Sequence, residues 1–188
     1  MSAGRRRVLA MVKRNLLVQM RNPGHWFLLI ILPLVDGLLF GSIGVAFGEG
    51  EAPVQLLVTG IMLFHLIWQL TLAGSLGLLE EVWSRNVMNL IATPLTEREF
   101  MGSLGIVGLL RTVVSVTVIA LVGLGFYAVA PDSAGWVLVP AAAVLLVFGW
   151  AITLFVTALT LQYGDSAEVF SWGTLVLLMP LSGVFYPV

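Results

Sequence analysis

Apolar residues fill five long stretches of this chain, 26–47, 56–79, 102–130, 136–162 and 169–188, and a charged segment at 80–100 separates the second from the third. Within the five stretches only Asp36 and Arg111 carry a full charge. About 20 apolar residues cross the hydrocarbon core of a bilayer as a helix. Each run is long enough, so the pattern predicts an all-α, polytopic integral membrane protein with a single transmembrane domain over 1–188. The fifth run differs from the rest. Gly173, Pro180, Gly183 and Pro187 divide it, and 169–179 is too short to cross alone, which predicts a broken or re-entrant element.

Finer periodicities mark the elements between the spans. Val8, Leu9, Val12, Leu16 and Met20 recur at helical spacing, with Arg7, Arg14, Arg21, Arg6 and Lys13 on another side. Two readings of 1–23 are open: an interfacial helix whose cations meet lipid phosphates, or a solvated basic tail that only sets topology. Asn22-Pro23 ends it, because the residue before a proline is pushed out of the α region. In the first span Pro33 removes a backbone donor one turn before Asp36 and predicts a kink. Gly37, Gly41, Gly44 and Gly48 share one helical stripe. They form either a close helix contact or the ordinary glycine content of a membrane helix.

The charged segment has its own pattern. Leu79, Val82, Trp83, Val87, Leu90 and Ile91 fall on one helical face, with Glu81, Ser84, Arg85 and Asn89 opposite, which predicts a short amphipathic helix at the membrane face. Thr93-Pro94 ends it. Thr96-Glu97-Arg98-Glu99 then gives a T-x-x-E capping box that starts the third span. A break and a capped restart make a more elaborate protrusion than a tether needs.

Charge sets the expected orientation. Six of the nine basic residues, Arg5, Arg6, Arg7, Lys13, Arg14 and Arg21, precede the first span, which predicts a cytoplasmic N-terminus. The connection at 48–53 has no Lys or Arg, whereas 80–100 carries Arg85 and Arg98, so the charged segment is expected inside. A secretory signal is the competing reading of the N-terminus, but the first apolar run is too long and lacks a small-residue cleavage site. Hydrophobic residues make up 59% of the chain and charged residues 10%, too few polar positions to cover a water-soluble globule.

Catalytic chemistry is sparse in the sequence. There is no cysteine, hence neither disulfide nor thiolate site. The only lysine, Lys13, is not part of a P-loop, so ATP hydrolysis on this chain is excluded and energy must come from another polypeptide or an ion gradient. His25 and His65 form no metal-ligand pattern, and no serine has a nearby His/Asp constellation in sequence. Asp36 and Arg111 have overlapping depths, counted from the inner ends of their spans, and are expected to form an intramembrane pair. That pair either fixes spans one and three or lies on a substrate path, and Glu80 or Glu81 could compete for Arg111.

A longer series of residues carries a family resemblance. Arg21-Asn22-Pro23, Pro33, Leu79-Glu80-Glu81-Val82-Trp83-Ser84-Arg85-Asn86, Asn89-Leu90, Thr93-Pro94-Leu95, Glu99-Phe100, Gly102 and Pro180-Leu181-Ser182-Gly183-Val184-Phe185-Tyr186-Pro187 follow one another in an order that resembles the ABC-2 type transporter permeases. The resemblance implies a six-helix permease of a bacterial inner membrane that pairs as a homodimer or heterodimer. It implies a cytoplasmic ABC ATPase partner that holds ATP and Mg, and an exported substrate, with no cofactor on this chain and no nucleic-acid partner. It also implies that Glu81, Trp83, Arg85, Asn89, Thr93, Pro94, Thr96, Glu97, Arg98 and Glu99 belong to an ATPase-coupling segment, and that Pro180, Gly183 and Pro187 mark a broken fifth helix. Family members continue into a sixth span, so the chain is expected to be cut short at its C-terminus. Two other functions stay open: a proton-coupled secondary transporter using Asp36, and a non-transporting membrane scaffold or immunity protein.

Overall fold

The structure is a computed structural model that describes residues 3–48, 51–129 and 135–181. All the regular elements among these residues are helical, in the order α1 (Ala3–Arg21), α2 (Pro23–Phe47), α3 (Glu51–Trp83), α4 (Val87–Ile91), α5 (Glu97–Tyr127), α6 (Leu138–Tyr163) and α7 (Glu168–Leu181). The helices α2, α3, α5 and the Gly135–Tyr163 segment that contains α6 are each long and apolar enough to cross a membrane. The shorter apolar helix α7 includes Pro180, whereas Gly183 and Pro187 lie outside the described residues.

Helix α3 forms the centre. In its most apolar window 72% of residues are buried, against 17% for the α6 segment, so α2, α5, α6 and α7 pack around α3 while most of the α6 surface stays exposed. Small residues permit the close approaches. A Cβ on Gly74 would collide with the Thr153 side chain, and one on Gly149 would sit 3.1 Å from the Ile67 backbone, which brings α3 and α6 together. Of the glycines on the α2 stripe, Gly37 faces Val122 and Gly41 lies against the Tyr127 ring, both on α5, while Gly44 meets the backbone of Val54 on α3. A Cβ on Gly48 would make only an ordinary contact with Pro53.

Pro33 acts on α2 before its own position. Residues Phe27–Ile31 form a π-helical turn in which the Leu32 amide donates to the Phe27 carbonyl. Proline has no amide for the residue 29 carbonyl and its ring crowds that oxygen, and widening the preceding turn relieves both problems. The freed Leu28 carbonyl accepts a hydrogen bond from Gln69 Nε2 at 2.9 Å.

The helical lengths place the charged segment. At 1.5 Å per residue α3 is roughly 50 Å long, against a hydrocarbon core of roughly 30 Å. Both α3 and α5 therefore project past the apolar layer, and α4 joins their ends. The expected amphipathic helix over 79–91 is divided: α3 runs on to Trp83, and only Val87–Ile91 forms a separate helix. Arg85 adopts φ 52°, the Asn86 amide donates to the Glu81 carbonyl, and the Arg85 amide donates to the Val82 carbonyl. This is the Schellman ending of a helix, with an arginine in the left-handed position usually given to glycine.

Candidate functional site

The candidate coupling site is built on the α3–α4–α5 corner and on α1, which packs against it. Met11 joins Leu78, Phe100 and Leu104 in one apolar cluster, and Val12 joins Ala73 and Val107 in another. The packed stripe on α1 therefore includes Met11, which the expected apolar face omitted, while Leu9 and Met20 of that face stay exposed. Two ion pairs tie this helix down. Arg14 forms a two-pronged pair with Glu81, its Nη2 donating to Oε2 at 3.2 Å, and Asn86 Nδ2 donates to the same oxygen at 2.7 Å. Arg7 donates to both Glu99 oxygens at 2.9 and 2.7 Å.

Glu99 combines two tasks. It closes the capping box, accepting from the Thr96 amide at 3.0 Å while its own amide donates to Thr96 Oγ1 at 3.3 Å. It lies in the first turn of α5, before the apolar run. The Arg7 guanidinium, together with the Thr96 amide, holds its carboxyl down at about 2, below the usual 4.5.

The residues assigned to coupling fall into two groups. Glu81 is 2% exposed and is committed to Arg14 and Asn86, so it is an internal anchor; its expected place on the outward polar face is corrected. Glu99 is likewise engaged within the chain. Trp83, Arg85, Asn89, Thr93, Pro94, Thr96, Glu97 and Arg98 are exposed. Met88 and Ile91, 75% and 70% exposed, project from α4 beside them. Ile91 and Trp83 were expected on one apolar face of a single amphipathic helix at the membrane face, but the break at Arg85 turns α4 away from the line of α3. A groove of about 400 Å³ between α1 and this corner is lined by Arg7, Met11, Arg14, Asn86, Asn89 and Leu90, among others.

Within the bundle, the expected direct pair of Asp36 with Arg111 does not occur, and each residue has another partner. His65 Nε2 lies 3.0 Å from Asp36 Oδ2, and His65 Nδ1 lies 2.8 Å from Ser115 Oγ. The imidazole thus bridges the Asp36 carboxyl and the Ser115 hydroxyl through its two ring nitrogens. One helical turn away, Arg111 Nε donates to Gln69 Oε1 at 3.1 Å, while Gln69 Nε2 holds the Leu28 carbonyl. The two relays are parallel layers, each running from α2 through α3 to α5. Arg111 is level with Leu28, two turns before Asp36 on α2, which is why counting depth from the span ends gave the wrong partner.

The fold thus assembles a Ser/His/Asp set that sequence spacing does not show. Ser115 is fully buried, and His65 is 1% exposed. A nucleophile needs room for a substrate carbonyl, so the set fixes helix register and carries no hydrolytic chemistry. Among the described residues no group of three or more His, Asp or Glu side chains is placed to hold a metal ion.

No curated protein and no solved structure matches the chain. The family model for the ABC-2 type transporter matches residues 6–188, almost the whole length. A helical bundle with four membrane-length apolar helices agrees with that match: the chain is a member of the ABC-2 type transporter family, a membrane permease component.

Proposed function

We propose that this permease is the membrane subunit of an ATP-driven exporter of the bacterial inner membrane, with its N-terminus in the cytoplasm, powered by a separate ABC ATPase that binds ATP and Mg. A second permease, identical or related, completes the pathway. The observation that carries the reading is the corner itself. Met88, Ile91, Glu97 and Arg98 stand exposed beyond the apolar spans, and buried Glu81 ties that corner to α1. Exposed apolar side chains ringed by charges suit a protein partner. A push on α4 reaches α1 through Asn86, Glu81 and Arg14, and reaches α5 through its capped first turn. Substituting Glu97 and Arg98 with alanine should uncouple ATP hydrolysis from transport with membrane insertion intact, whereas unchanged coupling would remove this site.

A proton-coupled mode has one candidate group, Asp36, whose carboxylate is 20% exposed and bound to His65. It predicts that Asp36→Asn abolishes transport even with the ATPase present.

A further inference from the structure

A second polar site lies away from the coupling corner, where α1 meets the start of α2 and the middle of α5. A cavity of about 90 Å³ opens there, with Leu16 and Gln19 of α1, His25 and Trp26 of α2, and Leu110 and Arg111 of α5 in its wall. Arg111 is 2% exposed and His25 is 8% exposed, yet Arg111 Nη2 and His25 Nδ1 have no hydrogen-bond partner among the described residues. A buried guanidinium N–H left without an acceptor is costly. The opposite edges of both side chains are already held, Arg111 Nε by Gln69 and His25 Nε2 by Glu80 Oε1 at 3.0 Å, so the free edges are fixed in direction.

We propose that this cavity binds the phosphate group of an anionic phospholipid from the inner leaflet, with the Arg111 guanidinium as the principal donor. Planar guanidinium suits phosphate oxygens. The volume admits a phosphate group and not a whole lipid, and the rim supplies a path for the rest: Met20, Trp26, Leu110 and Val114 are exposed apolar residues around the opening. A free inorganic phosphate would gain nothing from them. The setting is interfacial, because the cavity adjoins the Asn22-Pro23 junction, and Trp26 is anchored there by its indole Nε1 donating to the Met20 carbonyl at 3.0 Å. Lys13, Arg14 and Arg21 line the neighbouring face of α1, and they favour a net negative headgroup despite Glu80 beside His25.

The test is native mass spectrometry of the detergent-purified full chain titrated with phosphatidylglycerol, phosphatidylcholine or inorganic phosphate. The wild type should retain phosphatidylglycerol in preference to phosphatidylcholine, with inorganic phosphate unable to displace it. Arg111→Met should weaken retention about tenfold, the loss of one charge-assisted hydrogen bond. If that variant does not fold, Leu110→Trp decides, since it fills the opening from a half-exposed position and leaves Arg111 in place; it should weaken retention similarly. Equal retention of both lipids, equal retention by wild type and Leu110→Trp, or displacement by inorganic phosphate would each overturn the proposal.

Discussion

Removing Arg14 tests whether α1 and the coupling corner are one mechanical unit. Arg14→Ala leaves the Glu81 carboxylate, 3% exposed as a side chain, with Asn86 Nδ2 as its remaining side-chain donor. Breaking a fully buried ion pair costs about 3–5 kcal/mol. Arg14 itself is 42% exposed, so water reaches part of the vacated space and the expected loss falls to about 1–3 kcal/mol. Glu81→Gln removes the charge that Arg14 answered. The double variant Arg14→Ala/Glu81→Gln should therefore be more stable than the sum of the two single losses predicts, by at least about 1 kcal/mol. Equilibrium unfolding in mixed micelles measures all four corners of the cycle, and hydrogen exchange in α1 reports whether that helix loosens locally. Losses that add within about 0.5 kcal/mol would refute the Glu81 anchor.

Other predictions follow from the same geometry. A double-mutant cycle of Asp36→Ala with His65→Leu should show coupling of about 0.6–1.7 kcal/mol, the range of interhelical bonds in membranes, whereas Asp36→Ala with Arg111→Met should be additive; the reverse outcome would restore a direct Asp36–Arg111 pair. Gly44→Ala should destabilise by about 1–3 kcal/mol, since its Cβ would lie 2.6 Å from Val54 Cα, and Gly125→Ala, with nothing within 4 Å, serves as the neutral control in the same unfolding assay. Arg85→Gly should stabilise the α3 terminus by about 1 kcal/mol by removing left-handed strain, read as slower exchange of the Asn86 amide. Because Glu99 has a folded value of about 2 against 4.5, its contribution is complete above the higher value and is lost as pH falls toward the lower one. The protection factors of amides in the first turns of α1, which correct exchange for the intrinsic rate at each pH, should be flat from neutral pH down to about 5 and fall below it, and Arg7→Gln should remove most of that dependence.

The spans, the α5 cap and the site of the α3–α5 corner were legible because each rests on local signals: apolar run length, the T-x-x-E spacing and the proline at 94. Helix partnership was not. Asp36 meets His65 because three helices set a register that depth counted from span ends does not fix, and the π turn before Pro33 adds to the offset. Glu81 looked outward because its partner, Arg14, is 67 positions away and comes from a helix whose expected inward stripe omitted Met11 and included the exposed Leu9 and Met20. The end of α3 carried no glycine signal, since Arg85 occupies the left-handed position. Met88 was not singled out, because an exposed apolar residue beside an unforeseen break has no periodicity to reveal it.

The central claim, that a separate ATPase drives this permease through the α4 corner, is open to one direct measurement. The chain has no cysteine, so single substitutions introduce unique labels without altering the background. Met88→Cys and Arg98→Cys at the corner, and Phe126→Cys at the far end of α5, are each coexpressed with a candidate ABC ATPase subunit and treated with a short bifunctional crosslinker. The account predicts a permease–ATPase adduct from positions 88 and 98 and none from 126. Adducts absent from 88 and 98 in a complex that still hydrolyses ATP and transports would contradict it.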